Sequence, residues 1–217
     1  MVAAMNGVNH AFLARALATG VAAIGQIRIS AAFSLTHMER GFGDDVLVYR
    51  DPYDALEIAK YDAAGKYRPL KSAPNLRADW RLELATLDEV LLALDFFYPA
   101  AVATARELDE GSLSAVDLRS TLARQTGMYA VVKKLTDEQA GDLIASACNS
   151  KTGCLRRLLW EISAGQPSAL TESCGQIRPG AGEIPLLCAE ACNLLVAAGR
   201  GVVKAAQKQA EAAGQTA

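Results

Sequence analysis

The distribution of cysteine is what most constrains this chain. All five cysteines fall in the last third: Cys148, Cys154, Cys174, Cys188 and Cys192. The 147 residues before them hold none. Cysteines used singly, as small buried hydrophobes, would be scattered. Gathered in one region, they point to a site that needs several thiolates at once, either zinc or an iron–sulfur cluster. A disulfide framework is the weaker reading. The N-terminal stretch lacks a basic start followed by a clean apolar run, so no secretory leader is read. The expected compartment is therefore the cytoplasm, where disulfides are rare.

With 217 residues, 51% of them apolar, the chain can bury one good core or two small ones. Its net charge of −2 argues against general binding to nucleic acid, which needs a basic surface. The apolar segment Ala11–Gly25 is interrupted by Arg15 and is too short to span a bilayer, so no membrane partner is expected.

The hydrophobic periods predict an α+β chain. A short Ala/Leu helix is read over 9–22. Ile27, Ile29, Phe33, Leu35 and His37 then fall on one parity, as a half-buried strand requires. Gly41 and Gly43 mark a turn before a second strand, 46–49, which makes a hairpin. Asp51-Pro52 starts a helix, 52–63, with Leu56, Ile58 and Ala59 toward the core. Trp80 to Leu84 is a strand. Thr86 opens a long apolar helix that reaches Tyr98-Pro99. A helix over 114–125, a strand from Met128 to Leu135 and a capping box at Thr136/Gln139 follow. Cys154 to Ser163 reads as helical, 164–183 as a loop, and Pro185 as the start of a final helix. The resulting division is a mixed part with a small antiparallel sheet and helices (1–130), then a helical cysteine-bearing part (131–217).

On that reading Cys188 and Cys192 lie four apart on one helical face. Cys148 ends one helix and Cys154 begins the next, with a five-residue loop between. Two such pairs make a four-thiolate site, and Cys174 is a substitute or a spare. The gaps do not match the short knuckles of structural zinc. The run of cysteines typical of bacterial ferredoxins is also absent. Helix N-termini at Cys154 and Cys188, with Arg156, Arg157 and Arg200, would favour an anionic cluster.

Several segments carry a resemblance. DALEIAKYDAAGKYRPLKSAPNLRADWRLEL (54–84), LDFFYP (94–99), RQTGMY (124–129), CNSKTGCLRRLLW (148–160) and CAEACNLLVAAGR (188–200) resemble the iron–sulfur region at the C-terminal end of some large CbiX-type sirohydrochlorin cobaltochelatases. The likeness spans roughly residues 25–205. It implies a 4Fe-4S cluster held by Cys148, Cys154, Cys188 and Cys192, with Cys174 as the alternative to Cys148. In that family, metal insertion belongs to separate chelatase modules whose histidines stand over the tetrapyrrole. The only histidines here are His10 and His37. The resemblance therefore implies the cluster without the chelation, in a stand-alone chain.

The basic stretch Lys66, Arg68, Lys71, Arg77 and Arg81 suits an anionic tetrapyrrole or a partner's acidic face, against the plainer reading of a solvated loop. Arg124 suits charge balance beside a cluster. No Ser/His/Asp order, phosphate-binding loop or dinucleotide fingerprint is present. The expectation is a 4Fe-4S protein with an electron-transfer, regulatory or stabilising role in tetrapyrrole or cobalamin metabolism, served by a redox or chelatase partner. Two other readings stay open: a cluster-dependent enzyme with an open iron site, and a zinc-binding interaction module.

Overall fold

Ile27 and Ile29 share a parity with Leu35 and His37, yet they do not lie on one strand. In the computed structural model, which describes residues 2–114, 116–148, 153–161, 179–188 and 191–214, the segment folds back on itself. Strand β2 (Ile27–Ser30) turns at 31–33, where Phe33 takes a φ of 60°, into β3 (Ser34–His37). The antiparallel register sets Ile27 opposite His37 and Ile29 opposite Leu35. Residues directly opposite share a face of the sheet, so the parity survived while the topology differed.

The chain divides into two compact units. Unit 1 comprises Met1–Leu113 and Ile177–Leu187; unit 2 comprises Ser114–Gln176 and Cys188–Ala217. The first crossing lies at Leu113–Ser114 rather than near residue 130, and a segment from the last third returns to unit 1.

Unit 1 is built on a six-stranded mixed sheet. Besides β2 and β3 it contains β1 (Val21–Ile24), β4 (Leu47–Tyr49), β5 (Trp80–Glu83) and β9 (Glu183–Ile184), in the order β4-β5-β3-β2-β1-β9. The first predicted helix stops short of residue 22. α1 runs Val2–Ala16, a 3-10 turn covers Leu17–Thr19, and Gly20 at φ 94° sends the chain into β1. β4 does not make the expected hairpin; it pairs in parallel with β5. One face of the sheet carries Ala22, Ile24, Ile27, Ile29, Leu35, Trp80 and Leu82, all buried.

Helices α2 (Asp54–Lys60), α3 (Leu87–Phe97) and α4 (Ala101–Asp109) supply the rest of that core. α2 is shorter than the predicted 52–63 and buries Ala55, Ile58 and Ala59, whereas Leu56 faces solvent. Thr86 caps α3 as expected, its hydroxyl accepting from the Glu89 N–H. Phe97 of α3 stacks on Trp80 with ring centroids 5.1 Å apart.

His37 is buried in this core. Its Nδ1 accepts from the Glu39 N–H, and its Nε2 is enclosed with no partner. Burial pushes the imidazole below its ordinary pKa; nearby Glu39 acts against this, while Arg40 and Arg68 add to it. A depressed histidine pKa means that the unfolded chain takes up the proton first. Stability is complete above the unfolded value and is lost as pH falls through the mid-6 range and below. The melting temperature of unit 1 is therefore expected to drop between pH 7.5 and 5.5, with a shallower slope in His37→Asn. Equal slopes for the two proteins would remove His37 from the account.

Unit 2 is mainly helical, with α5 (Leu118–Ala123), α6 (Asp137–Ala147) and α7 (Asn193–Gly214). The predicted strand from Met128 to Leu135 is instead a 3-10 segment, Gly127–Lys134. Its Val132 enters a core with Leu118, Leu122, Leu135, Ala140, Leu143, Ile144, Leu195, Val196 and Val203. The capping box is as predicted: the Thr136 hydroxyl accepts from the Gln139 N–H, and Gln139 Oε1 from the Thr136 N–H. Gly199 allows α7 to close on its neighbours, since a Cβ there would stand 3.1 Å from both Leu135 and Leu143. The predicted helix over 154–163 is absent from the described residues. Two-residue strands take its place: β7 (Arg157–Leu158), and β8 (Trp160–Glu161) in parallel with β6 (Val116–Asp117). The final helix begins at Asn193, not Pro185, and residues 187–188 form β10 (Leu187–Cys188).

Candidate metal centre

Cys148 closes α6 as its C-cap, its N–H donating to the Ile144 carbonyl at 2.9 Å. Cys154 lies in the extended segment before β7 and is 9% exposed. Cys188 lies on β10, and its carbonyl accepts from the Leu159 N–H at 3.0 Å. Cys192 stands just ahead of α7. Its carbonyl accepts from the Val196 N–H and its sulfur from the Leu195 N–H at 3.5 Å, so it caps that helix. The sequence reading is corrected here. Cys188 and Cys192 do not share a helical face, and neither Cys154 nor Cys188 opens a helix. Only Cys192 sits at a helix N-terminus, where backbone N–H groups and the helix dipole favour a thiolate.

All four thiols nevertheless belong to unit 2. Cys148 and Cys188 both pack against the core of unit 2. The Cys148 thiol is pushed up to about 12, first by burial and then by the charges of Cys188, Cys192 and Cys154. The other three thiols thus lie close enough to Cys148 to act on its charge. None of the four is disulfide-bonded. Cys174 lies outside the described residues. The donor set is soft and four-fold, and it fits a cluster, whose irons each need one thiolate and a cationic core to offset them. Among the described residues no three His, Cys, Asp or Glu side chains gather tightly around a single ion point.

Neither histidine joins this group. His37 is a core residue of unit 1, and His10 pairs with Asp88 at 2.7 Å. Four cations of the basic stretch of unit 1 make hydrogen bonds within the chain. Arg68 is buried and donates to Asn75 Oδ1 and to the carbonyls of Ala59, Lys71 and Ala73. Lys71 donates to the Phe96 carbonyl. Arg77 holds Asp79 with two hydrogen bonds, and Arg81 reaches Glu83 and the Phe42 carbonyl. These cations build the loop between α2 and β5. In unit 2, Arg124 donates to Thr121 Oγ1 and Arg200 contacts Met128 Sδ. Trp80 is core, as described above.

Fold and site together define a two-part protein: a mixed-sheet unit joined to a helical unit that presents four cysteines. Residues 110–201 match the family model of a 4Fe-4S iron–sulfur cluster binding domain, so the chain carries a 4Fe-4S cluster-binding domain. Residues 10–108 match the model of the DR2241 stabilising domain. Among solved structures the chain is similar to DR2241 from Deinococcus radiodurans, at 28% identity and a TM-score of 0.72. That protein is described as multi-domain, similar in structure to chelatases and with two additional novel domains. The match covers 90% of this chain and 41% of that one, so this chain spans less than half of its relative. No curated protein matches the sequence. Among the described residues no helix is long and apolar enough to cross a membrane.

Proposed function

We propose that unit 2 holds its 4Fe-4S cluster through Cys148, Cys154, Cys188 and Cys192, and that the protein moves electrons for a partner in tetrapyrrole metabolism. What supports the ligand set is that all four cysteines lie in unit 2, within residues 110–201 that match the cluster-binding model, with the other three acting on the charge of Cys148. The cluster supplies one-electron exchange when bound. The chain's own contribution is graded exposure. Cys154 is buried and Cys192 is exposed, so one ligand is shielded from water and another lies near the surface. That arrangement suits a redox carrier, which must protect its cofactor and still come close to a partner. Four thiolates also leave no iron open, which weighs against a cluster-dependent enzyme. The link to tetrapyrrole chemistry draws on the chelatase-like description of the Deinococcus protein, and the partner proposed is a chelatase or its reductase in the cytoplasm.

Anaerobic purification should yield a brown protein with about four irons per chain, whose colour bleaches on one-electron reduction. Single Cys→Ser changes at the four positions should each lower the iron content, whereas Cys174→Ser should not. Full iron in Cys148→Ser together with loss in Cys174→Ser would replace the fourth ligand. A colourless protein holding one zinc would sink the reading.

A further inference from the structure

The sheet of unit 1 ends in two unequal edges, β9 on one side and β4 on the other. β9 is two residues long and Pro185 follows it, which blunts that edge. The run Val46 to Tyr49 along β4 holds neither proline nor lysine. β4 pairs in parallel with β5 through Leu47, Val48 and Tyr49, and the Leu47 N–H donates to the Asp79 carbonyl at 3.1 Å. Backbone groups of successive residues point to alternate sides of a strand, so those of Val46 and Val48 point away from β5. Among the described residues no strand pairs with that side. The Leu47 side chain stands out of the sheet, 58% exposed. The two ends of the strand carry opposite charge: Asp44 and Asp45 precede it, Arg50 follows it, and all three are exposed.

We infer that β4 is a pairing edge for a second copy of this chain, joined strand to strand in the antiparallel sense about a two-fold axis at Leu47. With Val46 and Val48 facing outward on both copies, Val46 of each can exchange N–H···O bonds with Val48 of the other on either side of the axis. Leu47 then meets its own counterpart in the close, non-hydrogen-bonded pair at the axis, and the exposed side chain is covered. In the same register each Arg50 falls opposite the Asp44-Asp45 end of the other copy. A parallel pairing would set like charges side by side, and an edge charged only to stay soluble has no need of opposite signs at its two ends. Arg50 is free to reach across: its side chain is 75% exposed while bonded to Glu83 at 3.3 Å. An edge of three residues covers less than the roughly 1,200 Å² of a stable interface, so the pairing is reversible and follows concentration.

The test is sedimentation equilibrium of the full chain up to millimolar concentration, with amide hydrogen exchange and far-ultraviolet circular dichroism alongside. The parent should show a monomer–dimer equilibrium, and its Val46 and Val48 amides should exchange more slowly as the dimer forms. Leu47→Lys places two ammonium groups at the axis and should weaken the dimer by about tenfold or more. Arg50→Glu and Asp45→Lys, each alone, set like charges opposite one another and should weaken it as well. Mixed in equal amounts, these two variants should regain the association of the parent. The introduced glutamate then faces the introduced lysine, and the remaining arginine faces native aspartates. Recovery in the mixture also separates lost pairing from lost folding, since a misfolded variant could not restore it. A parent that stays monomeric at millimolar concentration, a dimer that Leu47→Lys leaves unchanged, or a mixture that associates no better than either variant alone would overturn the inference. The first of these results would leave the edge to a strand from a different protein.

Discussion

Cys154→Ser leaves the chain with little iron and a less stable unit 2, and it does so more severely than Cys192→Ser. Cys154 is the buried member of the four, at 9% exposure, whereas Cys192 is exposed. At Cys192 a serine oxygen or water can reach the vacated place. At Cys154 water has little access, and the serine hydroxyl is itself buried. A serine oxygen is also a poorer iron ligand than the thiolate it replaces. In a unit of this size each kcal/mol lowers the melting temperature by about 4–8 °C. Loss of the cluster adds to this, because metal binding that ties segments together is also folding free energy. The measurements are iron per chain and thermal melting of the anaerobically purified variants. Equal iron retention in the Cys154 and Cys192 variants would show that exposure does not grade the ligands.

Features set by neighbours in sequence were legible, and features set by distant partners were not. Thr136 and Gln139 satisfy each other's backbone within one turn, so their box could be read directly and is present. The same holds for Thr86 at the start of α3. The stretch from Met128 to Leu135 carries β-branched residues that suit a strand, yet it has no strand partner. Its Val132 packs on α6 and α7, and the tertiary environment outweighs propensity. Leu155, Leu158, Leu159 and Ile162 have helical spacing. Among the described residues Arg157–Leu158 and Trp160–Glu161 are strands, because Leu159 between them hydrogen-bonds with Val116 on one side and with Cys188 on the other. Both partners are remote in sequence, and nothing local announces them.

The candidate site was legible as a region and illegible as a geometry. The clustering of cysteines in the last third marked the stretch that matches the cluster-binding model. The four-residue gap between Cys188 and Cys192 fits one helical face, but it fits a strand followed by a helix cap equally well. Pro185 was read as the first residue of a helix, a position proline favours. Here it lies between β9 and β10, in a segment held by unit 1. Glu183-Ile-Pro-Leu-Leu187 is a short apolar run after two glycines, and period alone cannot separate a buried strand from the start of a helix in so few residues.

Trp80→Ala should be the most destabilising single change in unit 1. The side chain has no exposure, its ring stacks on Phe97, and its Nε1 donates to the Arg77 carbonyl at 2.7 Å. Truncating a buried tryptophan to alanine costs about 3–5 kcal/mol, through lost burial and the cavity left behind. Melting of unit 1 should fall by about 10–20 °C. Trp80→Phe keeps most of the ring contact and gives up the hydrogen bond, so its loss should be nearer the roughly 1 kcal/mol of such a bond plus a small cavity. Calorimetry of both variants beside the parent checks these figures: a fall of under about 3 °C in Trp80→Ala would mean that the ring contributes little to the stability of unit 1.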